Sequence, residues 1–238
     1  ILGPDKSKLS KRHGATAVTQ YRDRGFLKEA FFNYLALLGW SPKDETELLS
    51  SADIINQFGL ERVHKSGAVF DIQKLLWMNG QYLRQLSFDE LRAAVKPFFS
   101  EAFNTAFNVL DEAKQLLLVG AIQDNLDVLA DINDYCDVFL ETDDMFKEGL
   151  ALCDFNSDQK QVLSACVDGL QQPGFNDSSQ AYADLLESIC TSLKVGKGKV
   201  FKPIRLALTG RGSGPLITDV LAFFGKERVI ERLQLTIA

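Results

Sequence analysis

The chain has 238 residues, of which 46% are hydrophobic and 24% charged, a composition typical of a globular protein with one large domain or two small ones. No apolar run reaches the ~18 residues of a membrane-spanning helix, so no membrane partner is expected. The four cysteines form no Cys-x-x-Cys pair and the chain has two histidines, so we expect no metal site and a reducing compartment.

The net charge of −6 conceals an uneven distribution along the chain. Residues 1–30 and 188–238 carry net charges of +4 and +6, whereas residues 87–187 carry −15. A polyanion is attracted to the two ends and repelled by the middle, so we expect nucleic acid to avoid one acidic surface. That surface carries Asp127, Asp131, Asp134 and Asp137.

The apolar spacing predicts helices along most of the chain. Helices are predicted at residues 25–39, 72–86, 88–98, 101–118 and 121–133. A further helix should follow a capping box formed by Asp177 and Gln180, and short helices should begin near Pro203 and Pro215. A helix break is predicted at Gly225. Asp71 is a predicted N-cap, and Ser87 with Glu90 forms a capping box. Only GAVF (67–70) and, more weakly, TAV (16–18) favour an extended backbone.

A compact cationic loop, KLSKRHGA, lies near the start of the chain. Lys8, Lys11 and Arg12 fall within five residues, Ser10 lies between the lysines, and a glycine follows. Such a loop can hold phosphate oxygens and stabilise charge on a transferring phosphoryl or nucleotidyl group. The alternative is an ordinary solvated basic loop.

The last quarter of the chain is also cationic. Six cations, interrupted by glycines and Phe201, fall between residues 194 and 211: Lys194, Lys197, Lys199, Lys202, Arg205 and Arg211. Cations bind phosphates, whereas aromatic rings and guanidinium planes stack on unpaired bases, so this segment suits single-stranded RNA. A solvated basic loop is again the alternative.

The stretch KLSKRHGATAV resembles the K-x-S-K signature of class I aminoacyl-tRNA synthetases. YRDRGFLKEAFFNYLALLGWSP, GAVFDIQKLLWMNGQYLR and GKGKVFKPIRLALTGRGSGPLITDVLAFFGKERVIERL resemble, in this order, segments of bacterial-type glutamyl-tRNA synthetases. The acidic stretch from about 100 to 180 matches only in its helical character. The family's first signature, a His-Ile-Gly-His type motif, is absent from these 238 residues. We therefore expect a C-terminal piece of a longer enzyme, inactive alone.

The resemblance implies roles for the cationic loop. Lys8, Ser10 and Lys11 match the catalytic signature, which closes over ATP, bound with Mg²⁺, while glutamate is activated. Lys11 and Arg12 are the implied ATP contacts.

The resemblance also implies tRNA contacts. Asn79 and Arg84 match a region that contacts the tRNA backbone, where Trp77 is expected in the core. Positions that approach the anticodon bases correspond to Arg205, Gly214, Pro215 and Ile217.

One departure from the family concerns tRNA choice. Members that discriminate at the third anticodon base use an arginine in the first helical subdomain, but the matching region, Gly120–Asn125, contains no cation. The loss of a rejecting element predicts a non-discriminating enzyme that charges both tRNA-Glu and tRNA-Gln.

The sequence thus predicts a mainly α architecture. Residues 1–86 form the K-x-S-K loop and stem-contact helical region, and 87–174 and 175–238 form the two subdomains of an anticodon-binding helical cage. The resemblance implies a monomeric, cytoplasmic glutamate–tRNA ligase, with a plastid or mitochondrion as the alternative compartment. A stand-alone, non-catalytic tRNA-binding module and a helical scaffold for protein partners are the rival interpretations.

Overall fold

The structure, a computed structural model, describes residues 1–14, 17–140 and 143–237, without the side chains of His13, Asp143 and Met145. The described residues are mostly helical and form no sheet. Extended backbone pairs only at isolated bridges, such as those that join Leu2 to Lys8 and to Val69. The predicted mainly α fold is confirmed. No helix in these ranges is long and apolar enough to cross a membrane.

The α-helices follow one another along the chain with short 3₁₀ turns between some of them. They are α1 Val18–Asp23, α2 Lys28–Gly39, α3 Ser51–Gln57, α4 Ile72–Gln85, α5 Phe88–Val95, α6 Glu101–Asn108, α7 Glu112–Ile122, α8 Ile132–Leu140, α9 Asp143–Ala151, α10 Ser157–Leu170, α11 Ser179–Ser192, α12 Lys197–Thr209 and α13 Ile217–Ile237.

The chain divides into two compact units. The first contains residues 1–99 and 123–132, and the second contains residues 100–122 and 133–238. The predicted domain boundaries after residues 86 and 174 stay predictions.

The core of the first unit is aromatic. The ring of Tyr34 meets that of Phe70 edge-on with centroids 5.2 Å apart, and Tyr21 contacts the same phenylalanine at 5.8 Å. Burial raises the pKa of Tyr34 to about 12, and its hydroxyl oxygen accepts the N–H of Asp71 at 2.6 Å. Trp77, expected in the core, is 43% exposed, so that prediction is wrong.

The N-terminal loop is tied to the predicted extended segment at 67–70. The backbone N–H of Leu2 donates to Ala68 O at 2.8 Å, and that of Phe70 donates to Leu2 O at 2.8 Å. These bonds hold the base of the cationic loop against the start of α4, which Asp71 caps as predicted through the N–H groups of Gln73 and Lys74.

The prediction of a helix at 121–133 is wrong. The single helix predicted at 101–118 is instead two helices, α6 and α7. Two 3₁₀ turns, Gln123–Asn125 and Leu129–Asp131, replace most of the former. The carboxylate of Asp131 accepts the N–H groups of Asp127 and Val128. This local side-chain capping competes with helical hydrogen bonding, a tendency that apolar spacing does not reveal.

In the second unit, α13 packs against α7, α10, α11 and α12. Its backbone leaves the helical conformation at Gly225, which confirms the predicted break. Pro203, expected in a first turn, lies inside α12. The N-cap of α11 is Ser178, not Asp177, because the Asp177 carboxylate instead accepts the Tyr182 hydroxyl at 2.8 Å.

A buried arginine joins three elements of the second unit. Arg232 of α13 is 2% exposed, and its Cζ lies 3.9 Å and 4.3 Å from the ring centroids of Phe146 and Phe224. Its Nη1 donates to Leu208 O at 2.6 Å, one of the last carbonyls of α12. This contact fixes the C-terminal end of α12, where the predicted anticodon-contacting segment begins.

Candidate nucleic-acid interface

The cationic loop is exposed, and backbone hydrogen bonds hold its base. Gly3 N–H donates to Ser7 O at 2.8 Å, and Leu9 N–H donates to Ile1 O at 3.1 Å while Leu9 packs on the aromatic core. Lys8 and Lys11 are exposed, and neither ammonium group has an acidic partner in the described part of the chain. Unpaired ammonium groups on an anchored loop are suited to phosphate oxygens.

The side chain of Arg12, the other implied ATP contact, points toward the backbone turn formed by residues 3–7. Its Nη2 donates to Ser7 Oγ at 2.6 Å and to an Asp5 carboxylate oxygen at 3.3 Å. Both charged side chains stay largely exposed, at 66% and 51%. An exposed pair of this kind is weak, so it leaves Arg12 able to exchange partners.

Asn79, a predicted tRNA contact, is fully buried in the first unit. Its Oδ1 accepts the N–H of Leu27 at 2.8 Å, and its Nδ2 donates to Asp127 O at 2.6 Å. Its amide thus joins α4 to the start of α2 and to the 3₁₀ region. With no exposed surface, Asn79 has a structural role, and the predicted direct contact is not supported.

Arg84, the second residue of this pair, lies near the end of α4 and is partly exposed. Its Nη1 donates to Asp124 O at 3.1 Å. The neighbouring Gln123 is buried and caps α4 by donating to the carbonyls of Leu83 and Leu86 at 2.8 Å. The fold therefore brings a guanidinium to Gly120–Asn125, the segment that by sequence lacks any cation.

Arg205 is a partly buried cation of the second unit. It projects from α12 and is partly buried, and its Nη1 is buried with no hydrogen-bond partner. Loss of hydration lowers the pKa of its guanidinium, which nevertheless remains charged. An unpaired buried donor costs free energy, and a hydrogen bond to a ligand would remove that cost. Buried nitrogens of Asn33, Trp40 and Arg62 also lack a partner within the described residues, so this feature points to a ligand only together with its surroundings.

The predicted anticodon-contacting positions lie in the turn between α12 and α13. Gly214 is exposed with φ of 144°, and a Cβ built on it would lie 3.3 Å from Arg205 Nη1 and 3.9 Å from Val138. Glycine therefore avoids a close contact between a Cβ and the Arg205 guanidinium. Pro215 and Ile217 are buried, so their side chains shape the turn, and the structure does not support their direct contact with a base.

The cations of residues 194–211 differ in their partners. Lys197 pairs with Glu187 at 2.8 Å, and Arg211 pairs with Asp137 of α8. Within the described residues the other four have no acidic partner; these are Lys194, Lys199, Lys202 and Arg205. Lys199 and Lys202 also line a groove of about 760 Å³ between α10, α11 and α12.

Asp137 was missed as a site residue because the acidic stretch was expected to avoid nucleic acid. The structure instead divides the four aspartates of that predicted surface: Asp127 and Asp131 belong to the first unit, and Asp134 and Asp137 to the second. The expectation of one shared acidic surface stays a prediction. The 74-residue separation between Asp137 and Arg211 left no sequence signal.

Two family models match the chain. The anticodon binding domain matches residues 90–237, and the catalytic domain of class I tRNA synthetases (E and Q) matches residues 1–77. The mainly helical fold agrees with the first match. The chain therefore belongs to the anticodon-binding domain family, here preceded by a class I synthetase segment.

Its homologues are bacterial glutamate–tRNA ligases. The enzymes of Heliobacterium modesticaldum and Moorella thermoacetica are 40% and 38% identical to it, and each match covers 98% of the chain and 48% of the relative. A crystal structure of the glutamate–tRNA ligase of Elizabethkingia meningosepticum, in complex with its amino acid, superposes with a TM-score of 0.78 at 29% identity and covers all of the chain and 50% of that protein. The chain spans about half the length of the curated relatives it matches.

Proposed function

We propose that this chain is the tRNA-binding portion of a glutamate–tRNA ligase, an enzyme that activates glutamate with ATP and transfers it to tRNA. The observation that carries the proposal is the partly buried, unpaired guanidinium of Arg205 beside Gly214. A planar, partly exposed guanidinium can hydrogen bond to the edge of an unpaired anticodon base, with a small rotation of the side chain bringing Nη1 to the surface. Lys199 and Lys202 provide phosphate contacts on the same helix.

The cationic loop supplies the catalytic contribution of this chain. Lys8, Ser10 and Lys11 form the signature, and the exposed ammonium groups of Lys8 and Lys11 fit the triphosphate of ATP bound with Mg²⁺. ATP provides the adenylyl group, while Lys11 and Arg12 orient phosphate oxygens and stabilise negative charge as pyrophosphate leaves. We expect no ATP–pyrophosphate exchange by the 238 residues alone, because the first class I signature is absent from them.

Direct binding of tRNA-Glu to this chain tests the proposal. A titration at several salt concentrations should give an affinity that falls linearly on logarithmic axes as phosphate contacts release counterions. An anticodon stem-loop should compete, whereas a stem-loop with the anticodon bases replaced should compete poorly. A flat salt response would instead support the scaffold interpretation, and binding that ignores the anticodon bases would overturn the assignment of the site.

We further infer that the enzyme is non-discriminating and accepts tRNA-Gln as well as tRNA-Glu. The absence of any cation from Gly120–Asn125 supports this inference. Strong rejection of tRNA-Gln in a competition experiment, and in aminoacylation by the enzyme with its nucleotide-binding fold, would overturn it.

One contact favours the opposite candidate, a discriminating enzyme. Arg84 reaches Asp124 from α4 and can act as the rejecting cation that the local sequence lacks. If Arg84 discriminates, the wild-type chain rejects tRNA-Gln and Arg84→Gln accepts it. If the enzyme is non-discriminating, the ratio of the affinities for tRNA-Glu and tRNA-Gln should be the same in the wild-type chain and in Arg84→Gln. Gln85→Ala on the exposed end of the same helix is the control.

A further inference from the structure

We propose that Asp137, an acidic residue of α8, promotes tRNA binding by positioning the turn between α12 and α13. Its carboxylate pairs with Arg211, the residue that follows the last turn of α12 and its Gly210 cap. The inference rests on the proposed function, because it assigns a role within the same anticodon-contacting site. Asp137 is a positioning residue, since it acts through Arg211 and does not itself contact RNA.

The ion pair belongs to a connected set of contacts. The backbone N–H of Arg211 donates to Thr209 Oγ1 at 3.2 Å, and that hydroxyl donates to Arg205 O at 2.8 Å. The guanidinium of Arg211 is thereby held to α8, and its backbone is held to the turn of α12 that carries Arg205. Restraint of Arg211 from both sides limits the conformations of residues 210–216.

The surroundings of Asp137 show that α8 lies against this turn. Val138, its neighbour, is 3.9 Å from the position that a Cβ would take on Gly214. The Asp137 side chain is 18% exposed and that of Arg211 is 41% exposed. The aspartate is therefore the inner member of the pair, where a carboxylate is shielded from an approaching phosphate and from screening by salt.

The proposal makes a prediction of unusual sign. Removal of a negative charge beside an RNA site ordinarily strengthens binding or leaves it unchanged. If Asp137 positions the turn, Asp137→Asn instead weakens tRNA affinity about tenfold, equivalent to about 1.4 kcal/mol. Asp134→Asn is the matched control, because it removes the same charge from an exposed position of the same helix.

A double-mutant cycle separates positioning from direct contact. Asp137→Asn should add no further loss to Arg211→Gln, because both changes break the same pair. The salt dependence of binding should be unchanged in Asp137→Asn, since no phosphate contact is removed. Asp137→Glu, which retains a carboxylate, should recover affinity to within about threefold of wild type.

A measurement without tRNA keeps this proposal separate from the proposed function. In the free chain, amide hydrogen exchange over residues 210–216 should be faster in Asp137→Asn than in wild type, and unchanged in Asp134→Asn. Unchanged exchange together with Asp137→Asn affinity equal to or tighter than wild type would overturn the role of Asp137. A wild-type chain that fails to bind tRNA, but shows the exchange difference, would overturn the proposed function and leave only the positioning of the turn by Asp137.

Discussion

The surroundings of Asn79 and Arg205 differ, although the resemblance assigned both residues to tRNA. Asn79 is fully buried, and both polar atoms of its amide are hydrogen bonded to backbone. Arg205 is partly exposed, and its buried Nη1 has no partner. The protein thus supplies hydrogen-bond partners for both polar atoms of the Asn79 amide, but none for Arg205 Nη1 within the described residues.

This difference applies to these two residues and is not a general rule, because the fully buried Asn33 also has an amide nitrogen without a partner within the described residues. A buried polar group with all its partners stabilises the fold, and nothing remains for a ligand to bind. An unpaired buried donor lowers stability, and it gains a partner where a ligand can reach it. Each of the following substitutions tests one side of the comparison.

Asn79→Ala should have the largest effect, and it should be on stability. Loss of the amide leaves the Leu27 N–H and the Asp127 carbonyl without their side-chain partners, at a cost of about 2–5 kcal/mol for two partly buried groups. Urea unfolding would measure the loss, with Gln85→Ala as an exposed control on α4. In the absence of urea, where the variant remains folded, its tRNA affinity should stay within about threefold of wild type. Wild-type stability with lost tRNA binding would restore the predicted contact.

Arg205→Gln should have the opposite signature. Loss of a guanidinium that contacts a base should weaken tRNA binding by about 1–3 kcal/mol, while removal of an unpaired buried donor leaves the free energy of unfolding unchanged or raises it. Lys202→Gln on the same helix is the control: it should reduce the salt slope by about one and weaken binding to all RNAs alike. Reduced stability with unchanged binding would show that Arg205 is structural.

The sequence predicted one kind of feature well and another poorly. Caps and breaks set by neighbouring residues, such as Asp71, Ser87 with Glu90, and Gly225, appear as predicted. The helix predicted at 121–133 failed because the Asp131 carboxylate binds backbone N–H groups, which periodicity does not report.

The candidate site shows the same limit. Family motifs predict anticodon contacts at Arg205 and Gly214, and these stay predictions. The burial of Asn79, the exposure of Trp77 and the partners of Arg84 and Arg211 depend on contacts between distant segments, which the motifs do not report. The ion pair between Asp137 and Arg211 even contradicts the charge argument, because average charge over 101 residues does not describe the position of one carboxylate.

Gly214→Ala should have a smaller effect than loss of Arg205, because it crowds the guanidinium without removing it. The new Cβ would lie 3.3 Å from Arg205 Nη1, on a residue whose φ of 144° disfavours any side chain. We expect tRNA affinity to fall about three- to tenfold and stability by about 1 kcal/mol. Gly212→Ala is the matched control, since a Cβ there meets nothing within 4 Å. Equal effects of the two substitutions would show that the space beside Arg205 is unimportant.

The smallest effect on both stability and tRNA affinity is expected for a substitution in the cationic loop. Arg12→Gln breaks an ion pair with Asp5 whose members are 66% and 51% exposed. Exposed pairs contribute about 0–1 kcal/mol, so urea unfolding should shift little, and tRNA binding by this chain should change less than about twofold. The ratio of the Arg12→Gln affinity to the wild-type affinity should be the same at low and high salt, because the loop is assigned to ATP and not to tRNA. A loss of tRNA affinity as large as that of Arg205→Gln would contradict the assignment, because it would show that the exposed cationic loop contributes as much to tRNA binding as Arg205 does.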